Sequence, residues 1–137
     1  MRIAVIDGQG GGIGRLIVEK LKANFGSKVS IIVLGTNALA TAAMLKAGAD
    51  EGASGENAIL YNVPKVDLIV GTIGIIAANS MLGELSPSMA KAIAESPAKK
   101  ILIPINRCNI HIVGLQDDPL PQSIDLLVEE VRRHMIN

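Results

Sequence analysis

Short aliphatic runs alternate along the chain with segments whose apolar residues recur at helical spacing. The runs are continuous rather than interleaved with polar residues, which is typical of strands buried on both faces of a parallel sheet. They predict four strands, at residues 2–7, 29–34, 66–71 and 100–105. Weaker patterns predict a short strand at residues 50–53 and an edge strand at residues 110–113.

Helical patterns fill the intervals between these runs, and several carry start or stop signals. A helix from about Gly12 to Phe25 has one apolar face, and Gly26 is placed to cap its carboxyl end. Ser86 followed by Pro87 is the start signal of another helix, with the serine as N-cap. Further helices are predicted from residue 38 to near 46, over residues 56–62, and from about residue 121. The apolar, glycine-interrupted residues 72–84 fit a loop, a helix or both.

The alternation of strands and helices predicts a single Rossmann-like α/β domain over residues 1–137. Its sheet is expected to be doubly wound and mainly parallel, with helices on both faces and the first strand at the centre. Ligands of such sheets bind at the carboxyl ends of the strands, beside the point where the strand order reverses. Candidate chemistry is therefore sought where each strand ends.

Five of the seven residues that follow the first strand, within "VIDGQGGGIG", are glycine. Glycine permits close backbone approach to a ligand, and the following helix offers free N–H groups and a positive dipole end. This predicts a site for a phosphate-bearing ligand, with the glycines serving only strand–helix packing as the alternative. The candidate contacts are Gly8, Gly10, Gly11, Gly12, Ile13, Gly14 and Arg15.

The glycine spacing excludes two common motifs and resembles a third. G-x-G-x-x-G fails from Gly8 because residue 13 is Ile, and no Gly-Lys-Ser/Thr of a Walker A motif follows. Gly8-x-x-x-Gly12-Ile13-Gly14, with Arg15 directly after it, resembles the motif of short-chain dehydrogenases, which implies contact with the pyrophosphate of NAD or NADP.

The rest of the chain departs from that family. Tyr61 and Lys65 have its Tyr-x-x-x-Lys spacing, but Pro64 lies between them and interrupts helical register. The acidic residue expected after the second strand is absent, and Thr36 and Asn37 stand there instead. With Arg15 they are candidates to bind a phosphate, which favours NADP or a mononucleotide.

Two further strand ends carry candidate ligand contacts, with ordinary turns as the alternative. Gly71, Thr72 and Gly74 follow one strand, and Asn106 and Arg107 follow another. A nucleophilic Cys108 beside Arg107 is a weaker hypothesis than a small buried Cys. Asp7 ends the first strand facing the expected site, where it is a candidate partner for a ribose hydroxyl or a hydrated cation, although its charge also repels phosphate.

Composition narrows the class of partner. Thirteen basic residues balance thirteen acidic ones, which argues against nucleic acid and acidic membrane surfaces. Hydrophobic residues make up 49% of the chain, and the net charge is zero. Together these two features predict self-association into a homo-oligomer, with a homodimer as the favoured form. The single cysteine and the short N-terminal apolar run predict a soluble cytoplasmic protein. No metal site is predicted, since Cys108 and His111 form one isolated C-x-x-H.

The whole chain also resembles one specific family. "LGTNALATAAMLKAGA", "GENAI", "GIIAANSMLGE" and "ILIPINRCNI" resemble an uncharacterised bacterial family of small Rossmann-like proteins, designated only as a domain of unknown function. The resemblance implies a family and supplies no activity.

Three functions are compatible with the sequence. We favour a non-catalytic nucleotide-binding or sensor module that takes a phosphorylated small molecule, because no recognisable acid–base pair accompanies the glycine loop. The alternatives are a small NAD(P)-dependent oxidoreductase-like enzyme and an oligomeric scaffold whose glycines serve packing alone.

Overall fold

The computed structural model describes residues 1–105 and 109–136 and contains five strands and five helices in these ranges. The predictions for Asn106, Arg107 and Cys108 lie outside the described residues. The strands are β1 (Arg2–Asp7), β2 (Ser30–Gly35), β3 (Glu51–Ser54), β4 (Leu68–Thr72) and β5 (Lys99–Ile103). The helices are α1 (Gly12–Phe25), α2 (Ala38–Lys46), α3 (Glu56–Asn62), α4 (Pro87–Glu95) and α5 (Leu120–Ile136).

The strands form one parallel sheet in the order β3-β2-β1-β4-β5. The prediction of a doubly wound, mainly parallel sheet with β1 at its centre is confirmed. The chain moves outward from β1 through β2 to β3, and then returns to place β4 on the other side of β1. The order therefore reverses between β1 and β4, which is where this architecture opens a ligand crevice.

Helices cover both faces of the sheet and divide the core into two aliphatic layers. One layer packs α1, α2 and α5 on the sheet, with Leu21, Met44 and Leu127 as buried representatives. The other packs α3 and α4 on the opposite face, with Ile59 and Ile93 fully buried. Because both faces are covered, the central strands need no polar positions, which explains their continuous apolar runs.

The predicted edge strand at residues 110–113 is wrong, because these residues have no strand structure and β5 ends the described sheet. Ile112 and Val113 are exposed, so their short apolar run does not report burial in a sheet. The bounds of β1, α1, α2 and α3 are as predicted. The remaining strands differ from their predicted bounds by one or two residues, with β2 and β4 each starting and ending later than their apolar runs. Residues 72–84, for which loop and helix were both open, form a 3₁₀ turn at Ile73–Ile76 followed by irregular turns.

Within the described ranges, no helix combines the length and the apolar character needed to cross a membrane.

Candidate functional site

A pocket of about 190 Å³ opens between the carboxyl ends of β1 and β4. We call it the switch pocket. The segment after β1 and the start of α1 form one side, the end of β4 forms the second, and the β4–α4 connection covers it. Its described lining residues are Asp7, Gln9, Ile13, Thr72, Gly74, Ser80, Met81, Leu82 and Ile105.

Asp7 closes the glycine loop at both of its ends. One carboxylate oxygen accepts the N–H of Gly8 at 2.8 Å, and the other accepts the N–H of Gly14 at 2.7 Å. The side chain is 8% exposed and places its negative charge at the amino end of α1, where the helix dipole favours it. Asp7 therefore caps α1, because the N-cap residue, Gly11, has no side chain to do so.

Two further donors at the start of α1 remain available to a ligand. The N–H groups of Gly12 and Ile13 belong to the first turn, where no intrahelical acceptor exists. In the described part of the chain, neither has a hydrogen-bond acceptor. Like other free N–H groups at the amino end of a helix, they need an acceptor, and an oxyanion of a ligand is a suitable one.

Thr72 is the polar side chain that β4 contributes to the switch pocket. It ends the strand, is 9% exposed, and its hydroxyl has no hydrogen-bond partner among residues 1–105 and 109–136. No buried side-chain nitrogen or oxygen of the described residues lacks a hydrogen-bond partner, so the unpartnered Thr72 hydroxyl is open to the pocket, where solvent or a ligand can bind it. Ser80, on the cover of the pocket, instead donates its hydroxyl proton to the carbonyl of Gly74 at 2.5 Å.

Thr36 and Asn37 lie at the end of β2, as predicted, but they bind a carboxylate of the protein itself. One oxygen of Glu84 accepts three hydrogen bonds, from the Thr36 hydroxyl at 2.7 Å, the Asn37 amide at 2.8 Å and the Gln9 N–H at 2.8 Å. Asn37 also caps α2 by accepting the N–H of Ala40 at 2.8 Å. We call the three donors to Glu84 the β2 corner.

The bonds of the β2 corner act on the ionisation of Glu84. The Gln9 N–H and the Thr36 hydroxyl are the main causes that lower the pKa of this carboxyl, because they stabilise its charged form. A depressed pKa means that the carboxylate stabilises the folded protein above the ordinary glutamate value and ceases to do so as the pH falls through the folded value.

We therefore expect the stability difference between the wild-type protein and Glu84→Gln to depend on pH. The wild type should be the more stable by a constant amount near neutrality, and this advantage should shrink below about pH 4.5, the ordinary glutamate pKa. Urea denaturation of both proteins at a series of pH values measures it. An advantage that persists unchanged at acid pH would show that the Glu84 charge does not stabilise the fold.

The glycines of the loop divide into two groups. A Cβ added at Gly8 would meet Met81 and Thr36, and one at Gly11 would meet the backbone of Ala40. A Cβ at Gly14 would meet Met44 and Asp7. These three positions therefore require glycine for close packing. At Gly10 and Gly12 a Cβ meets no described atom within 4 Å. Packing therefore explains the first group, and it does not explain the second.

Of the remaining predicted residues Gly71, Gly74 and Arg15, one lines the switch pocket and two do not. Gly71 is buried in β4, where a Cβ would lie 2.8 Å from the Ile6 carbonyl oxygen, so it serves strand packing. Gly74 lines the switch pocket. Arg15 is an exposed residue of α1 whose guanidinium lies 2.9 Å from the Glu19 carboxylate, and it does not line the pocket.

Sequence reasoning missed Gln9, Ser80 and Met81 as lining residues of the pocket, and Glu84 as the acceptor of the Gln9 N–H. One signal was present for Glu84, because it is the single carboxylate residue between Asp67 and Glu95, inside an otherwise apolar segment. Tyr61 and Lys65 contact each other, with the ammonium 3.0 Å from the ring centroid, and neither lines the pocket. In the described ranges, no group of three His, Cys, Asp or Glu residues is placed to hold a metal ion.

The sheet order and the switch pocket define a class: a doubly wound α/β protein with a small crevice at its topological switch point. The chain belongs to the family described as "Domain of unknown function (DUF3842)", which matches residues 2–136. The resemblance of the whole sequence to an uncharacterised family is thus confirmed.

Other comparisons concern sequence and fold. No curated protein matches the chain in sequence. Among solved structures, the chain is similar to a dodecameric FMN-dependent Ubix-like decarboxylase from Escherichia coli O157:H7. The two are 12% identical with a TM-score of 0.45, over 96% of this chain and 76% of the other. A similarity at this level carries no information about ligand, activity or assembly.

Proposed function

We propose that this protein binds a nucleotide or another phosphorylated small ligand in the switch pocket. The observation that supports the proposal is the Thr72 hydroxyl, which belongs to a largely buried residue, is open to the pocket and has no partner in the described part of the chain. Opposite β4, the first turn of α1 supplies the N–H groups of Gly12 and Ile13. Neutral donors of this kind suit a ligand oxyanion.

Asp7 adds a hydrogen-bond acceptor to the donors that line the pocket. Its carboxylate is an acceptor, so it suits a ligand hydroxyl or amine rather than a phosphate. The N–H groups of Gly8 and Gly14 offset part of its charge, which lowers the repulsion of a phosphate bound further along at Gly12 and Ile13. A ligand with a phosphate at one end and hydroxyl groups at the other, such as a ribose phosphate, matches both.

Pocket size favours a short ligand. The volume of about 190 Å³ is below the range of about 300–1,000 Å³ that is usual for ligand pockets. A mononucleotide or sugar phosphate therefore fits the proposal better than the whole of NAD or NADP.

Binding without catalysis is favoured over the oxidoreductase alternative. Of the described lining residues, Asp7 alone titrates, whereas general acid–base catalysis by the protein needs groups positioned to give and to take a proton. The scaffold alternative accounts for Gly8, Gly11 and Gly14, but not for the open space at Gly12.

Thr72→Val tests the proposal. The valine keeps the shape of the side chain and removes the hydroxyl, so the affinity for a ligand found by thermal-shift screening of nucleotides and sugar phosphates should fall at least about tenfold, or about 1.4 kcal/mol. Thr72→Ser keeps the hydroxyl and is the matched control, expected to retain most of the affinity. Unchanged binding by Thr72→Val, or a screen in which no phosphorylated compound raises the melting temperature, would contradict the proposal.

Self-association and a cytoplasmic location stay predictions and form part of this proposal. Exposed apolar residues such as Leu82, Val113 and Leu126 are compatible with a surface that pairs with a second copy. Light scattering at high micromolar concentration should give the mass of a dimer, and the mass of a monomer would overturn this part.

A further inference from the structure

The β2 corner gathers donors from two loops onto one oxygen. The Gln9 N–H comes from the glycine loop, and the Thr36 hydroxyl and Asn37 amide come from the β2–α2 connection. All three lie 2.7–2.8 Å from the same Glu84 oxygen, as donors do around a bound oxyanion. The acceptor arrives from a third segment, more than forty residues further along the chain.

Residues 77–85, here called the cover loop, carry Glu84 and include several residues with an unfavourable backbone conformation. Asn79, Met81 and Leu82 have φ values of +66°, +58° and +57°, in the left-handed region that non-glycine residues rarely adopt. Leu82 is 98% exposed, so burial of its side chain does not offset the strain. Such strain persists where surrounding contacts enforce it, and Glu84 supplies three of these contacts.

The cover loop also packs against the glycine loop beside the β2 corner. A Cβ at Gly8 would lie 2.6 Å from the Met81 sulfur and 2.6 Å from the Thr36 hydroxyl oxygen. A ligand that extends from the switch pocket across β1 towards β2 therefore meets both side-chain atoms and a negative charge.

We propose that Glu84 is a specificity-determining residue, which occupies the β2 corner as a tethered carboxylate and confines ligands to the switch pocket. The inference rests on the proposed function, because it concerns which phosphorylated ligands that pocket admits. Short ligands bind beside Thr72 without disturbing Glu84. A dinucleotide with a phosphate on its adenosine ribose must displace the carboxylate before the corner donors are available to it.

Glu84→Ala and Glu84→Gln separate occupation of the corner from loss of charge. Alanine empties the corner and leaves three donors for a ligand phosphate, whereas the glutamine oxygen still accepts from the same donors. In calorimetric titrations with NADP, we expect Glu84→Ala to bind at least about tenfold more tightly than wild type, and Glu84→Gln to stay close to wild type. Equal affinity of Glu84→Ala and wild type, or an equal gain in both variants, overturns the inference.

A second substitution localises the gain. Thr36→Val in the Glu84→Ala background removes one corner donor and should abolish most of the gained affinity. A gain that survives this change contradicts binding at the corner. Urea denaturation of each variant first establishes that it is folded.

The two proposals fail in different ways. Binding of a mononucleotide that depends on Thr72, with no gain of NADP affinity in Glu84→Ala, refutes the role of Glu84 and leaves the proposed function intact. If the wild type binds no phosphorylated ligand, the proposed function fails, whatever Glu84→Ala does.

Discussion

Gly11→Val should lower the free energy of unfolding by about 3 kcal/mol, through backbone strain and overpacking together. Gly11 has a φ of +72°, which a β-branched residue adopts only with strain. An added Cβ would lie 2.8 Å from the carbonyl oxygen of Ala40 and 2.9 Å from its Cα, and backbone atoms of a helix cannot move aside cheaply. Urea denaturation measures the loss.

Gly12→Val is the matched control in the same loop. No described atom lies within 4 Å of a Cβ at this position, and Gly12 is already the first residue of α1. Its stability should stay within about 0.5 kcal/mol of wild type, although the side chain is expected to obstruct a ligand at the N–H groups. Similar losses in both variants would show that the loop as a whole tolerates no side chains, and the division of the glycines into two groups would be wrong.

Asp7→Ala should lower the free energy of unfolding by about 3 kcal/mol, because two backbone donors lose a charged acceptor in a buried site. The amino end of α1 also loses the negative charge that complements its dipole. Asp7→Asn keeps one acceptor oxygen of similar shape and should lose less. Thermal and urea denaturation compare the three proteins, and an Asp7→Ala variant as stable as the wild type would show that the carboxylate is not the cap of α1.

Much of the fold was predictable because local patterns and tertiary burial agree. The strands β1 and β4 are buried on both faces, and their aliphatic runs report that burial directly. Ser86 followed by Pro87 located the start of α4, where the Ser86 hydroxyl accepts the Met89 N–H at 3.2 Å. The strand predicted at residues 110–113 failed because a short apolar run reports hydrophobicity, and only neighbouring strands decide whether a ladder forms.

The candidate site was predictable only in outline. The glycine loop and the strand ends follow from the order of elements, and the structure brings Ile13, Thr72 and Gly74 to one pocket, while their role in binding stays a prediction. The β2 corner was not predictable, because Thr36 and Glu84 are 48 residues apart and meet only when the cover loop folds over the sheet. The two roles of the glycines also depend on neighbours from α2 and from the cover loop, which local sequence does not reveal.

The paired hydrogen bonds of Asp7 have a consequence for the thermodynamics of binding. The Asp7 carboxylate accepts the N–H groups of Gly8 and Gly14 and so fixes both ends of the glycine loop. Without these bonds the loop would have a large backbone entropy, because glycine has more conformational freedom than any other residue. The entropy of ordering the loop is lost when the protein folds, and little remains to be lost when a ligand arrives. For the ligand that we propose, the glycine loop is therefore preorganised, and we expect the affinity to be set by the contacts that the loop makes rather than by the cost of closing around the ligand.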